Sequence, residues 1–127
     1  MEEIWKDVVG YEGLYQVSNY GRVKSLPKIH KTTKNYNKLG YITKEKILRQ
    51  RKTQRGYFLV TLYKDQKGKS LYVHRLVANM FILNKDNKPC INHKNGDKKD
   101  NKVTNLEWCT YSENMIHAYA TGLNHCA

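Results

Sequence analysis

Asn92-His93-Lys94-Asn95-Gly96-Asp97, then Asn105-Leu106-Glu107-Trp108-Cys109-Thr110, then Ser112-Glu113-Asn114, is the stretch that decides the fold. Pro89 to Asn92 reads as a short strand ending at His93. Lys94 to Thr104 is a polar loop with Gly96 to turn the chain, and Leu106 to Cys109 is a second short strand. Thr110-Tyr111-Ser112-Glu113 has the form of a capping box, in which the Thr110 hydroxyl and the Glu113 carboxylate satisfy backbone donors. The helix it opens runs to about Thr121, with Gly122 as its stop. Strand, loop, strand, helix makes a ββα unit.

Upstream, Tyr57 to Tyr63 is rich in β-branched and aromatic residues and predicts a strand. Lys64 to Lys69, with Gly68, is the expected turn, and Ser70 to Val73 returns as its partner. Leu76, Val77, Met80 and Phe81 then fall on one helical face, giving a helix from about His74 to Phe81 or Leu83. Between Ile4 and Leu26, aromatic and β-branched residues are punctuated by Gly10, Gly13 and Asn19-Tyr20-Gly21. That pattern predicts a compact β-hairpin module whose Trp and Tyr side chains are core. Residues 28–56 lack sustained periodicity and read as a long loop or extended arm. The fold class is therefore α+β: a small N-terminal β module in residues 1–27, a basic arm in 28–56, and a hairpin, a helix and the ββα unit in 57–127.

The 127-residue length fits one small domain or a domain with an appended module, and 39% hydrophobic with 27% charged residues is ordinary for a folded protein. No apolar run is long enough to cross a bilayer, and Met1-Glu2-Glu3 lacks the form of a signal peptide. Cys90, Cys109 and Cys126 form no C-x-x-C pair, which fits reduced thiols and a cytoplasmic location. The net charge of +12 favours a polyanionic partner. Residues 28–56 hold ten Lys and Arg against one Glu, whereas residues 92–127 hold four against four. Without a long basic amphipathic helix to lie on a membrane, that concentration points to nucleic acid. Lys46, Arg49, Arg51, Lys52 and Arg55 in the arm are the expected phosphate contacts, joined by Arg75 and Lys94. Binding and chemistry are thus expected in different stretches.

The neutral stretch carries the chemistry. Phosphodiester hydrolysis needs a base to deprotonate water, and His93 is an imidazole largely neutral at pH 7. It also needs positive charge on the phosphoryl and leaving oxygens, which a divalent cation supplies. Mg²⁺ suits oxygen donors such as the side-chain carbonyls of Asn92 and Asn114, with Mn²⁺ the second candidate. Neighbours on an ideal strand point to opposite faces, so Asn92 and His93 share a site only if the chain leaves the strand there. Asn105 is placed to orient the His93 ring through its other nitrogen. His117, three residues beyond Asn114, shares a similar helical face and is an accessory candidate. His74, at the start of the first helix, is expected to be structural or to bind nucleic-acid backbone.

Together, Asn92-His93-Lys94-Asn95-Gly96-Asp97-Lys98, Asn105-Leu106-Glu107-Trp108 and Ser112-Glu113-Asn114 resemble the HNH endonuclease family, in its phage- and intron-associated homing branch. Trp5-Lys6-Asp7-Val8, Tyr11-Glu12-Gly13-Leu14-Tyr15-Gln16-Val17-Ser18-Asn19 and Gly21-Arg22-Val23-Lys24-Ser25-Leu26 are similar to the NUMOD4 module that often precedes such domains. The resemblance implies a ββα-metal fold and metal-dependent cleavage of double-stranded DNA, in the bacterial host cytoplasm for a phage-encoded chain. It implies His93 as general base, Asn105 as the central Asn that orients it, and Asn114 as the helix-borne metal ligand. The family often has an acid before the base, where this chain has Asn92. Asp97 or Asp100 could supply the missing charge. The chain ends at Ala127, where many relatives continue into a further DNA-binding module, so that module is expected to be absent. One site per chain implies a monomer, with no obligate protein partner, that nicks one strand at a time.

Two alternatives compete. A catalytically inactive nucleic-acid-binding protein on the same scaffold would show the same charge pattern. A structural zinc site would draw on Cys90, Cys109 and Cys126 with His93, His117 or His125, although closely paired ligands are missing apart from His125-Cys126.

Overall fold

The computed structural model describes residues 1–30 and 41–121. Gly122, His125 and Cys126, and the arm residues Lys31, Lys34, Tyr36 and Lys38, lie outside the described residues. Strands β1 (Trp5–Asp7), β2 (Tyr15–Ser18) and β3 (Val23–Ser25) form the antiparallel sheet expected near the N-terminus. β2 buries Tyr15, Val17 and Ser18, so its apolar residues face the core.

The stretch expected to be an arm carries four short strands among its described residues. They are β4 (Lys28–His30), β5 (Tyr41–Thr43), β6 (Lys46–Ile47) and β7 (Arg51–Lys52). β4 pairs with β5, β6 extends the first sheet beside β3, and β7 pairs with β8 (Phe58–Lys64). Strands of two or three residues are too short to display a period of two, so periodicity misses them.

β8 pairs with β9 (Lys67–Tyr72) in the expected hairpin, but the turn is tighter than expected. Asp65 and Gln66 alone make it, with φ of 53° and 65°, the left-handed pair of a two-residue turn. Gly68 therefore lies inside β9, opposite Tyr63. A Cβ there would come within 2.6 Å of the Tyr63 ring, so the glycine leaves room for the aromatic side chain.

Helix α1 (Val73–Phe81) follows at once, burying Val73, His74, Leu76, Val77 and Ala78. The ββα unit then forms as expected: β10 (Cys90–His93), β11 (Leu106–Cys109) and α2 (Tyr111–Thr121). The capping box is present, with the Glu113 amide donating to Thr110 Oγ1 at 3.1 Å and the Thr110 amide to Glu113 Oε1 at 2.9 Å. Cys109 is a buried free thiol.

One hydrophobic cluster joins the N-terminal strands to the rest. Val8, Tyr15, Val17 and Val23 pack with Val60, Leu62, Val73, Leu76, Val77, Ile91 and Leu106. The Tyr63 amide also donates to the Tyr15 hydroxyl at 3.0 Å. Leu62 is fully buried on the central strand of its sheet. Leu62→Ala is expected to cost about 2–5 kcal/mol in urea unfolding. Trp5 on β1 and Trp108 on β11 report from the two segments that the cluster joins, and a shared core requires their fluorescence midpoints to fall together. Separate midpoints would reveal two independent cores.

Candidate active site

The site is built on the loop between β10 and β11. β10 and β11 pair from Cys90↔Cys109 to His93↔Leu106, so His93 is the last paired residue of its strand. The loop then folds on itself. The Lys94 amide donates to the Asn105 carbonyl at 2.7 Å, and the Gly96 amide returns to the His93 carbonyl at 2.8 Å. Gly96 has φ of 77°, a left-handed conformation that costs a glycine little.

Asn105 sits at the centre of this loop. Its Oδ1 accepts from the Asn95 amide at 3.0 Å, and its Nδ2 donates to Asn95 Oδ1 at 3.0 Å and to the Asp100 carbonyl at 2.8 Å. Both Nδ2 hydrogens are thereby engaged, which corrects the expectation that Asn105 holds the His93 ring. That ring is bonded by Asn101, whose Oδ1 lies 2.8 Å from His93 Nε2. Sequence reasoning misses Asn101 because Asn95, Asn101 and Asn105 share one loop after His93, and chain distance does not rank them. Asp97 and Asp100, considered as alternative metal donors, bond within the loop: Asp97 Oδ1 accepts from the Lys99 amide and Asp100 Oδ2 from Asn95 Nδ2.

His93 is buried, and burial lowers its pKa, offset in part by the Asn101 hydrogen bond. With Asn101 Oδ1 as acceptor, Nε2 carries the ring proton and Nδ1 keeps a lone pair. The arrangement favours a neutral imidazole with one basic nitrogen.

The chain does not leave the strand at His93 but just after it, so the pleat sets Asn92 and His93 on opposite faces of the ribbon. Asn92 shares its face with its cross-strand partner Glu107, and Nδ2 donates to Glu107 Oε1 at 2.9 Å. Asn114 is the buried residue in the first turns of α2, which packs on β10. His117 Nε2 meets the Lys94 carbonyl at 3.0 Å, tying α2 to the start of the loop.

The carboxamide oxygens of Asn92 and Asn114 and the Glu107 carboxylate are of the kind a hard cation takes, and among the described residues no three His, Cys, Asp or Glu side chains are grouped so as to hold a metal ion. The Glu107 carboxylate stands beside Asn92. The strand pairing reveals it, since only the register places position 107 opposite position 92.

Most of the basic side chains are at the surface. Lys46, Arg49, Lys52, Arg55 and Lys94 are exposed, and Arg75 is half-buried on α1. Arg51, also exposed, reaches across its sheet to Ser70 Oγ at 2.8 Å and Thr61 Oγ1 at 3.2 Å. Lys98 of the loop donates to the Arg55 carbonyl at 2.8 Å and lies 4.9 Å from the centre of the Tyr57 ring. The basic stretch therefore abuts the site loop rather than standing apart from it. Among the described residues, no helix is long and apolar enough to cross a membrane.

A ββα unit with a histidine closing its first strand and an asparagine early in its helix defines a nuclease-type site. Residues 71–116 match the HNH endonuclease family, and residues 3–63 match the NUMOD4 motif. The chain is 44% identical over 126 residues to an uncharacterized HNH endonuclease of Acanthamoeba polyphaga mimivirus, covering 95% of this chain and 27% of that protein. It is 38% identical over 118 residues to DNA endonuclease I-HmuI of Bacillus phage SP01, covering 93% of this chain and 59% of that one. A solved structure described as DNA binding and cleavage by the HNH homing endonuclease I-HmuI superposes with a TM-score of 0.72 at 35% identity, over 98% of this chain and 62% of the other. Residues 71–116 thus form an HNH endonuclease segment, preceded by a NUMOD4 motif. It spans between about a quarter and three fifths of the length of these two curated relatives.

His74 stands against the site from below. It is fully buried, and neither ring nitrogen has a hydrogen-bond partner among the described residues. The rings of Tyr57 and Tyr72 lie 5.2 Å away and that of His93 5.3 Å. A fully buried side chain does not reach a nucleic-acid backbone from this position, which sets aside the backbone-binding expectation. Burial, then the neighbouring His93 and Arg75, push its pKa down to about 3. The unfolded chain takes up a proton near pH 6.5 that the folded chain refuses until about pH 3. Stability should therefore fall as pH drops through that window, by at most about 1.4 kcal/mol per unit from this group. Chemical unfolding across that range should show the slope, and His74→Phe should flatten it; an unchanged slope would place the proton uptake elsewhere.

Proposed function

We propose that this protein is a metal-dependent DNA endonuclease of homing type, which hydrolyses phosphodiester bonds and nicks one strand per visit as a monomer. The observation that carries this is His93, buried at the end of β10 with Nε2 engaged by Asn101 and Nδ1 left as a base. His93 Nδ1 takes a proton from water as the water oxygen attacks phosphorus, and the bond to the leaving oxygen breaks in line. Asn114 would hold the divalent ion, Mg²⁺ or Mn²⁺; Asn92, bonded to Glu107 on the face of the ribbon opposite His93, is not brought to that site. The ion, when bound, stabilises charge on the phosphoryl and leaving oxygens. Lys46, Arg49, Arg51, Lys52, Arg55, Arg75 and Lys94 bind the duplex backbone. Double-stranded DNA as partner is supported by the likeness to the I-HmuI structure, described as one of DNA binding and cleavage, and by the +12 charge. The cytoplasm, that of the bacterial host for a phage-encoded chain, is the proposed location.

Supercoiled plasmid incubated with Mg²⁺ should be converted to nicked circles, and His93→Ala should slow this about 10²–10⁴-fold. Equal nicking by both proteins, or none by the native chain with several divalent ions, would leave the inactive DNA-binding alternative. Linear product without a nicked intermediate would contradict single-strand cleavage.

Replacing Arg49, Arg51, Lys52 and Arg55 by Gln should weaken DNA binding. The slope of log affinity against log salt should fall by about 0.9 for each phosphate that is no longer neutralised. The turnover of saturated substrate should change little. A fall in turnover at saturation would instead give these residues a part in the chemistry.

A further inference from the structure

The N-terminal motif touches the nuclease loop at its most sensitive point. Gly21, in the turn after β2, has φ of 85°, and a Cβ there would lie 2.9 Å from both Cβ and the carbonyl oxygen of Asn101. The approach is to backbone, so a larger residue has no flexible side chain to displace. The turn is itself firmly held. Ser18 and Asn19 are buried, and Ser18 Oγ accepts from the Tyr20 and Arg22 amides at 3.2 Å each. The Asn19 side chain accepts from the Ile4 amide at 2.8 Å and donates to the Glu2 carbonyl at 3.0 Å. Gln50 Nε2 donates to the Gly21 carbonyl at 2.8 Å. One further bond crosses to the loop, from the Val103 amide to the Asn19 carbonyl at 2.9 Å. Asn101 thus has its backbone pressed on Gly21, while its side chain faces His93 Nε2 at 2.8 Å.

We propose that the Ser18–Gly21 turn is a positioning element of the active site, which acts through Asn101 to hold His93 in its Nε2–H tautomer with Nδ1 free to accept a proton. The NUMOD4 segment then has a part in the chemistry besides any part in DNA binding, and Asn101 is a positioning residue. This rests on His93 as the base. A partner that orients a reacting imidazole typically accounts for about 10- to 100-fold in activity. Loss of the clamp should cost turnover and leave DNA affinity intact.

The test reads the imidazole directly. Long-range ¹H–¹⁵N spectra of the full chain, without divalent ion, identify the His93 ring by comparison with His93→Gln. The native chain should show a single Nε2–H tautomer. Asn101→Ala should give a tautomer mixture and a single-turnover rate about 10- to 100-fold lower, with duplex affinity and native circular dichroism retained. Asn101→Asp, which keeps the acceptor oxygen, should restore the single tautomer. Gly21→Ala should reproduce the mixture with Asn101 intact. If Gly21→Ala does not fold, Gln50→Ala, which removes only the bond to the Gly21 carbonyl, should move the spectrum the same way to a smaller extent. An Nδ1–H tautomer in the native chain, or a spectrum indifferent to Asn101→Ala, overturns the proposal. A folded turn variant with an unchanged ring would overturn the part given to the turn. If the ring responds as expected while no protein cleaves DNA, the endonuclease assignment fails and the clamp stands.

Discussion

The Asn105 carboxamide holds the loop on which the site depends. A polar loop between two four-residue strands has little apolar surface to bury, so its shape must come from hydrogen bonds. Asn105 supplies three of them, to the Asn95 amide, the Asn95 side chain and the Asp100 carbonyl. With the Lys94 amide on the Asn105 carbonyl, they hold the β10–β11 ribbon at His93 and return the chain into β11. Without that closure, neither Asn101 nor Glu107 would be carried to its place beside β10.

Around that loop the molecule places rigid supports on different sides. Beneath it, the aromatic and imidazole rings of Tyr57, Tyr72 and His74 pack near His93, and burial keeps the imidazoles neutral. Behind it, the Ser18–Gly21 turn presses on Asn101. Beside it, Lys98 crosses to the Arg55 carbonyl and Tyr57 ring, joining the loop to the basic strands. Neutrality suits a group whose task is to accept a proton, and rigid support suits one that must be aimed. The two His74 nitrogens, without a hydrogen-bond partner among the described residues, are an energetic cost carried within this arrangement.

The shared hydrophobic cluster explains how a motif at residues 3–63 reaches a site at residues 92–114. Val17 and Val23 are fully buried in the same cluster as Ile91 and Leu106, so the relative placement of the two segments is fixed by packing. A basic loop on a loose linker would leave the chemistry indifferent to its position. Here the basic segment and the loop after His93 meet at Arg55 and Lys98, which modifies the clean separation that charge counts along the chain suggest.

Local patterns were legible because local physics produces them. The ββα order, the Thr110–Glu113 capping box, the β8–β9 hairpin and the α1 face all follow from interactions between residues a few positions apart. His93 and Asn114 stood out because their chemistry is rare at such positions. The short strands between Lys28 and Lys52 did not, since two or three residues carry no readable period. The two-residue turn at Asp65-Gln66 was hidden by Gly68, which signals a bend but serves the Tyr63 ring. Which asparagine meets His93, which carboxylate stands opposite Asn92, and why residue 21 is glycine were decided only by the tertiary structure. Each depends on contacts between segments distant along the chain, brought together by strand register and by a common core.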